Sequence, residues 1–194
     1  MPWQVTIFRV LSALSIGLSL IPLAWHIANK NIPAVFLTVW IVVYNVCILT
    51  NSFIWPTDSL YGTWDGKIFC DIQIKILIAC AAGQMGAVAA IMRNLAKIMS
   101  DDISVIQTRA VRRRELIKDL VICLLIPVYM MAVHYIVQPV RYTIYAITGC
   151  APTVDRSWPT IVLLLIWPPI AAIICGYYSC NPPPASGPRR PALH

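Results

Sequence analysis

The side chains with chemical capacity fall into three groups along this 194-residue sequence. Asp71 and Lys75 stand four residues apart, a spacing that places both on one face of a helix and lets them pair. His134, Tyr135, Gln138, Arg141 and Tyr142 form the second group. His134 and Gln138 share a helical face, and so do Gln138 and Tyr142 if the helix continues past Pro139. The third group is basic. Arg93, Lys97, Arg109, Arg112, Arg113 and Arg114, with Lys118, account for seven of the fifteen Lys and Arg. None of these groups is a known catalytic pattern. GxSxG, HExxH and GxxxxGK[ST] are absent. The three histidines, His26, His134 and His194, lie far apart, and the seven cysteines include no CxxC or zinc-like spacing. The expectation is no enzyme activity, no metal and no cofactor.

The elements that must carry these side chains are set by composition. Hydrophobic residues make up 59% of the chain and charged residues 12%, with a mean hydropathy of +0.72. A soluble domain carries roughly twice that charge. Five apolar stretches are each long enough for a hydrocarbon core of about 30 Å, which takes roughly 20 helical residues. They run over 5–25, 32–55, 68–92, 119–137 and 159–178. In lipid the backbone must satisfy its own hydrogen bonds, so each stretch is predicted to be a helix. The fold class is therefore all-α, a polytopic transmembrane bundle over 1–180. The first stretch is long and has no small-x-small cleavage site before Trp25, so it reads as a retained helix rather than a signal peptide. Residues 181–194 are Pro-rich and are expected to form a disordered cytoplasmic tail.

Charge placement predicts orientation. With the N-terminus outside, the cytoplasmic segments hold ten Lys and Arg and the outer segments four, Arg9, Lys67, Arg141 and Arg156. That imbalance favours an outside N-terminus and a cytoplasmic C-terminus. Trp3, Trp25, Trp55 and Trp158 fall at the predicted helix ends, where interfacial anchors belong. The net charge of +7 is concentrated in one loop, which suits membrane lipid or a protein partner and not nucleic acid.

Four phrases, in order, resemble the Ste3-type mating-pheromone receptors, the lipopeptide branch of the fungal G-protein-coupled receptors. The first runs from Asn31-Ile-Pro-Ala through Trp40 and Asn45 to Phe53-Ile-Trp55. The second is Phe69-Cys-Asp-Ile, then Lys75, then Arg93-Asn-Leu-Ala-Lys-Ile98. The third is Ile126-Pro, His134-Tyr-Ile-Val-Gln138, Arg141-Tyr142 and Gly149-Cys-Ala-Pro152. The last is Ser157-Trp158, Trp167-Pro168 and Tyr177-Tyr-Ser179. The resemblance covers roughly 1–179 and implies a seven-helix receptor fold, of which five spans are present here. An acidic residue associated with the segment before the Gly-Cys pair is replaced by Ala146. The ending suggests a truncated form with impaired signalling, in the plasma membrane or retained in the endoplasmic reticulum.

The resemblance also implies roles. The partners would be a lipidated, farnesylated peptide pheromone and a heterotrimeric G protein. Asp71, Lys75, His134, Tyr135, Gln138, Arg141, Tyr142 and Trp158 would then contact the ligand. Charged groups at membrane depth usually face the bundle, although Tyr, Gln and Arg also populate ordinary interfacial belts. Arg93, Lys97, Arg109, Arg112, Arg113 and Arg114 would meet the G protein, or equally fix topology and bind anionic lipid. Cys70 and Cys150 lie at the start of the third stretch and in the second outer loop. An oxidising exterior permits a bridge between them, closing a loop of about 80 residues. The resemblance implies the same tether, and two free thiols are the alternative. Cys180 sits where a juxtamembrane cysteine can be palmitoylated or stay unmodified. A competing reading is a small five-helix membrane carrier for an apolar ligand.

Overall fold

Apolar runs that must close their own backbone hydrogen bonds in lipid become helices, and the computed structural model has five rods of this kind. It describes residues 2–56, 64, 66–99, 109–155 and 157–180. The elements are α1 (Pro2–Ala28), α2 (Ile32–Ile54), α3 (Lys67–Met99), α4 (Arg109–Val137), strands β1 (Thr143–Tyr145) and β2 (Gly149–Ala151), and a fifth rod. That rod is α5 (Trp158–Thr160), a π-helical stretch Ile161–Leu165, and α6 (Trp167–Cys180). Among the described residues five helices are long and apolar enough to cross a membrane. Pro22 and Pro127 lie inside α1 and α4; membrane helices tolerate such breaks because neighbouring groups re-satisfy the freed carbonyls.

Two helices run well past the apolar stretches. α3 runs on past the apolar span's end at Met92 to Met99, and α4 begins at Arg109, ahead of the span's start at Asp119. The extensions carry Arg93, Asn94, Lys97, Glu115 and Lys118; Arg93, Asn94 and Lys97 reach across to α4, and Lys118 pairs with Glu115 within α4. Span reading by hydropathy stops at charge and so misses a helix whose charges are paired.

α3 is the hub. It packs on α2, α4 and α6, whereas α1 leans chiefly on α2. In α3, 44% of the apolar window is buried within the protein, against 6% in α1 and in the fifth rod. The exposed leucines and isoleucines of α1, such as Leu11, Leu18 and Ile21, are what a lipid-facing surface requires. Small residues let the hub pack closely: Ala87 and Ala90 of α3 meet Cys123 of α4 in a buried cluster. Gly83 gives the indole of Trp40 its place against α3, and a Cβ there would overlap the ring.

A β-hairpin, not anticipated from sequence, caps one end of the bundle. Thr143 pairs with Ala151, Ile144 with Cys150 and Tyr145 with Gly149, antiparallel. At its turn, Ile147 takes a left-handed φ of 67°. The hairpin is fixed to two helices at once. The Ile147 N–H donates to the Trp55 carbonyl at 2.8 Å, and Asn51 Nδ2 donates to the Thr148 carbonyl at 2.6 Å. Cys150 is disulfide-bonded to Cys70 at the start of α3. Trp55, Cys70, Ile74 and Cys150 make a buried cluster beneath it, and Trp64 stacks on Trp55 at 6.4 Å between centroids. Arg9 ties α1 to the same end, donating to the Ser52 carbonyl at 2.5 Å and lying over the Phe53 ring.

Candidate functional site

Between α3 and α4, beside the hairpin, a cavity of about 620 Å³ is lined by Asp71, Ile74, Lys75, Tyr135, Gln138, Pro139 and Arg141. Five of the eight residues expected to face a ligand therefore converge there, with Ile74 and Pro139 adding apolar wall. A space of this size, part apolar and part polar, falls within the usual range for ligand sites.

The pairing of charges differs from the i, i+4 expectation. Asp71 forms its ion pair with Arg141, across from α3 to the segment after α4. Arg141 is 71% exposed in its side chain, and its hydrogen bond to Asp71 raises the guanidinium pKa above its ordinary value. Lys75 instead reaches α4: its Nζ lies 3.1 Å from His134 Nδ1 and donates to Gln138 Oε1 at 3.4 Å. The Tyr135 ring stands 5.6 Å from the same ammonium. Gln138 also donates to the Arg141 carbonyl, joining the two polar sets.

The other expected residues lie apart from the cavity wall. His134 is 1% exposed and sits behind Lys75. Accepting from Lys75 at Nδ1 requires the proton on the buried Nε2. Tyr142 packs on the cluster of Trp55, Cys70, Ile74 and Cys150. The α4 helix ends at Val137, so the helical face shared by Gln138 and Tyr142 does not form. The cause is Pro139, which disfavours helical backbone at the preceding residue. Trp158 opens the fifth rod, 76% exposed and outside the cavity lining.

At the opposite end the basic group divides. Arg93 donates to Asp119 at 2.7 Å and lies 3.4 Å from Glu115. Asn94 donates to Asp119 at 3.0 Å, Lys97 pairs with Glu115, and Lys118 reaches Glu115 at 2.9 Å. Arg109, Arg113 and Arg114 are exposed on the first turns of α4. Arg112 lies in the same helix, with its side chain outside the described residues, as is the tail 181–194. Sequence reading overlooked Asn94, Glu115 and Asp119. The available signal was a pair of acids four apart, bordering an arginine cluster at the mouth of an apolar run, where a charge needs a partner.

Five apolar rods, with a disulfide-fastened hairpin and a partly polar cavity at one end, mark a multi-pass helical membrane protein. The pheromone A receptor (STE3) family matches residues 7–181, and the chain belongs to that family. It is 37% identical over 158 residues to the pheromone a factor receptor of Saccharomyces cerevisiae, covering 81% of this chain and 33% of that one. It is 31% identical over 173 residues to the pheromone B alpha 3 receptor of Schizophyllum commune, covering 89% and 27%. Pheromone receptor 1 of Mycosarcoma maydis is 33% identical over 170 residues, covering 81% and 43%. The chain thus matches only about a quarter to two fifths of the length of these relatives. No solved structure matches it significantly.

Proposed function

We propose that this chain is the pheromone-binding part of a fungal mating receptor, and that its cavity between α3 and α4 takes a lipidated peptide. The carrying observation is the convergence of Asp71, Lys75, Tyr135, Gln138 and Arg141 on one space beside the disulfide-fastened hairpin. The polar set suits a peptide backbone, and Ile74, Pro139 and the Tyr135 ring suit a hydrocarbon chain. The relatives named for pheromones support the same assignment.

In this reading the hairpin end faces outside at the plasma membrane and the arginine end faces the cytoplasm. Ten Lys and Arg against four support that orientation, and the Cys70–Cys150 disulfide suits an oxidising exterior. Arg109, Arg112, Arg113 and Arg114 then meet anionic lipid and a heterotrimeric G protein, while Arg93 and Lys97 act through Asp119 and Glu115.

The test is binding of a fluorescent farnesylated peptide to membranes containing this chain. The proposal expects saturable binding, displaced by unlabelled farnesylated peptide and weakened by Tyr135→Ala or Gln138→Ala. Fluorescence uptake equal to that of empty membranes would refute it.

A further inference from the structure

Ligand chemistry in the cavity depends on which of its charges are already neutralised. Three charged side chains line it: Asp71, Lys75 and Arg141. Asp71 and Arg141 neutralise each other. Lys75 has no carboxylate in ion-pair contact among the described residues, and its hydrogen-bonding neighbours are His134 and Gln138, a ring nitrogen and an amide oxygen. Asp71 is one helical turn away, but its ion pair is with Arg141. The remaining lining residues are uncharged. The cavity therefore carries one uncompensated positive charge against partly apolar walls.

Such a charge within a membrane span is unfavourable unless something compensates it. An ammonium also has three donors and no acceptor, so two neutral partners leave one donor unused. A ligand carbonyl would fill the third hydrogen bond and leave the charge uncompensated. A carboxylate does both, with the shorter and stronger bond of an ionised pair. A cationic group would meet Lys75 as a like charge and find Asp71 occupied.

We infer that Lys75 is the seat of a ligand carboxylate: the peptide that fills the cavity carries an Asp or Glu side chain, held on the Lys75 ammonium beside His134 and Gln138. This rests on the pheromone reading and adds the ligand chemistry that reading leaves open. Arg141 is the lesser seat, because it is paired and its exposure to water weakens any added ion pair.

The experiment uses the full chain in lipid nanodiscs and a set of synthetic farnesylated hexapeptides. Each carries a single Asp at one position, scanned along the peptide, beside a twin with Asn there. At one or more positions the Asp peptide is expected to bind about tenfold tighter than its Asn twin, as a charge-assisted bond requires. Lys75→Met abolishes that preference and Lys75→Arg retains it, with the Cys70–Cys150 bond verified in each variant on a non-reducing gel. Equal binding of the twins at every position, or a preference that survives Lys75→Met, overturns the carboxylate seat and leaves the lipopeptide reading standing. If no farnesylated peptide binds above empty nanodiscs, both fall together.

Discussion

Arg93 of α3 and Asp119 of α4 are ion-paired at 2.7 Å, with side chains 17% and 7% exposed. Asn94 fills the second Asp119 oxygen at 3.0 Å. This pair is a helix-to-helix clamp. Removing the carboxylate leaves a largely buried guanidinium with only its longer, 3.4 Å contact to Glu115. Asp119→Ala is therefore expected to destabilise the chain by about 2 kcal/mol, measured as thermal unfolding in detergent. Arg93→Met combined with Asp119→Leu should recover part of that loss, since apolar replacement of both partners removes the stranded charge. A double variant no better than Asp119→Ala would contradict the clamp.

The Cys70–Cys150 bond spans a sequence separation of 80 and joins the hairpin to α3. Loop closure of that length restrains the unfolded chain by roughly 4 kcal/mol. Cys70→Ser and Cys150→Ser should each lower the unfolding temperature, and the double variant should lower it no further than either single one. Additive losses would mean that the two sulfurs act separately.

Gly149 has a φ of +71°, and a Cβ there would approach Asn51 Cγ to 2.5 Å. Gly149→Ala is strained on both counts and should displace the Asn51–Thr148 hydrogen bond. The expected loss is about 1–2 kcal/mol, together with faster hydrogen exchange across 143–151. Unchanged exchange there would contradict the hairpin's docking.

Gly83 accommodates Trp40 where α2 crosses α3. Gly83→Leu overpacks that contact and should destabilise by about 1–3 kcal/mol. The paired change Gly83→Leu with Trp40→Ala should restore part of it, because the added volume then has somewhere to go. Thermal unfolding of the two variants decides this.

Much of the bundle was legible because lipid permits few solutions. A stretch such as 32–55, apolar and long enough, can only be a helix there, and α2 occupies Ile32–Ile54. The site was legible as a set of residues and not as a set of pairs. Asp71 and Lys75 share a helical face, yet local spacing says nothing of Arg141, 70 residues away, which takes the Asp71 carboxylate. The resemblance places Tyr142 and Trp158 with the ligand residues; in the fold Tyr142 packs on the core cluster and Trp158 is exposed. The hairpin escaped notice because two three-residue strands carry almost no periodicity. Its stability comes from Asn51, Trp55 and Cys70, contacts far away in sequence.

The proposed occupant of the space between α3 and α4 is a lipidated peptide. Photo-crosslinking tests it most directly, with a farnesylated peptide carrying a benzophenone and adducts mapped by mass spectrometry. The account predicts adducts on peptides containing Ile74 and Tyr135, reduced by excess unlabelled farnesylated peptide. Adducts confined to the lipid-facing surface of α1 or the fifth rod, undiminished by competitor, would contradict it.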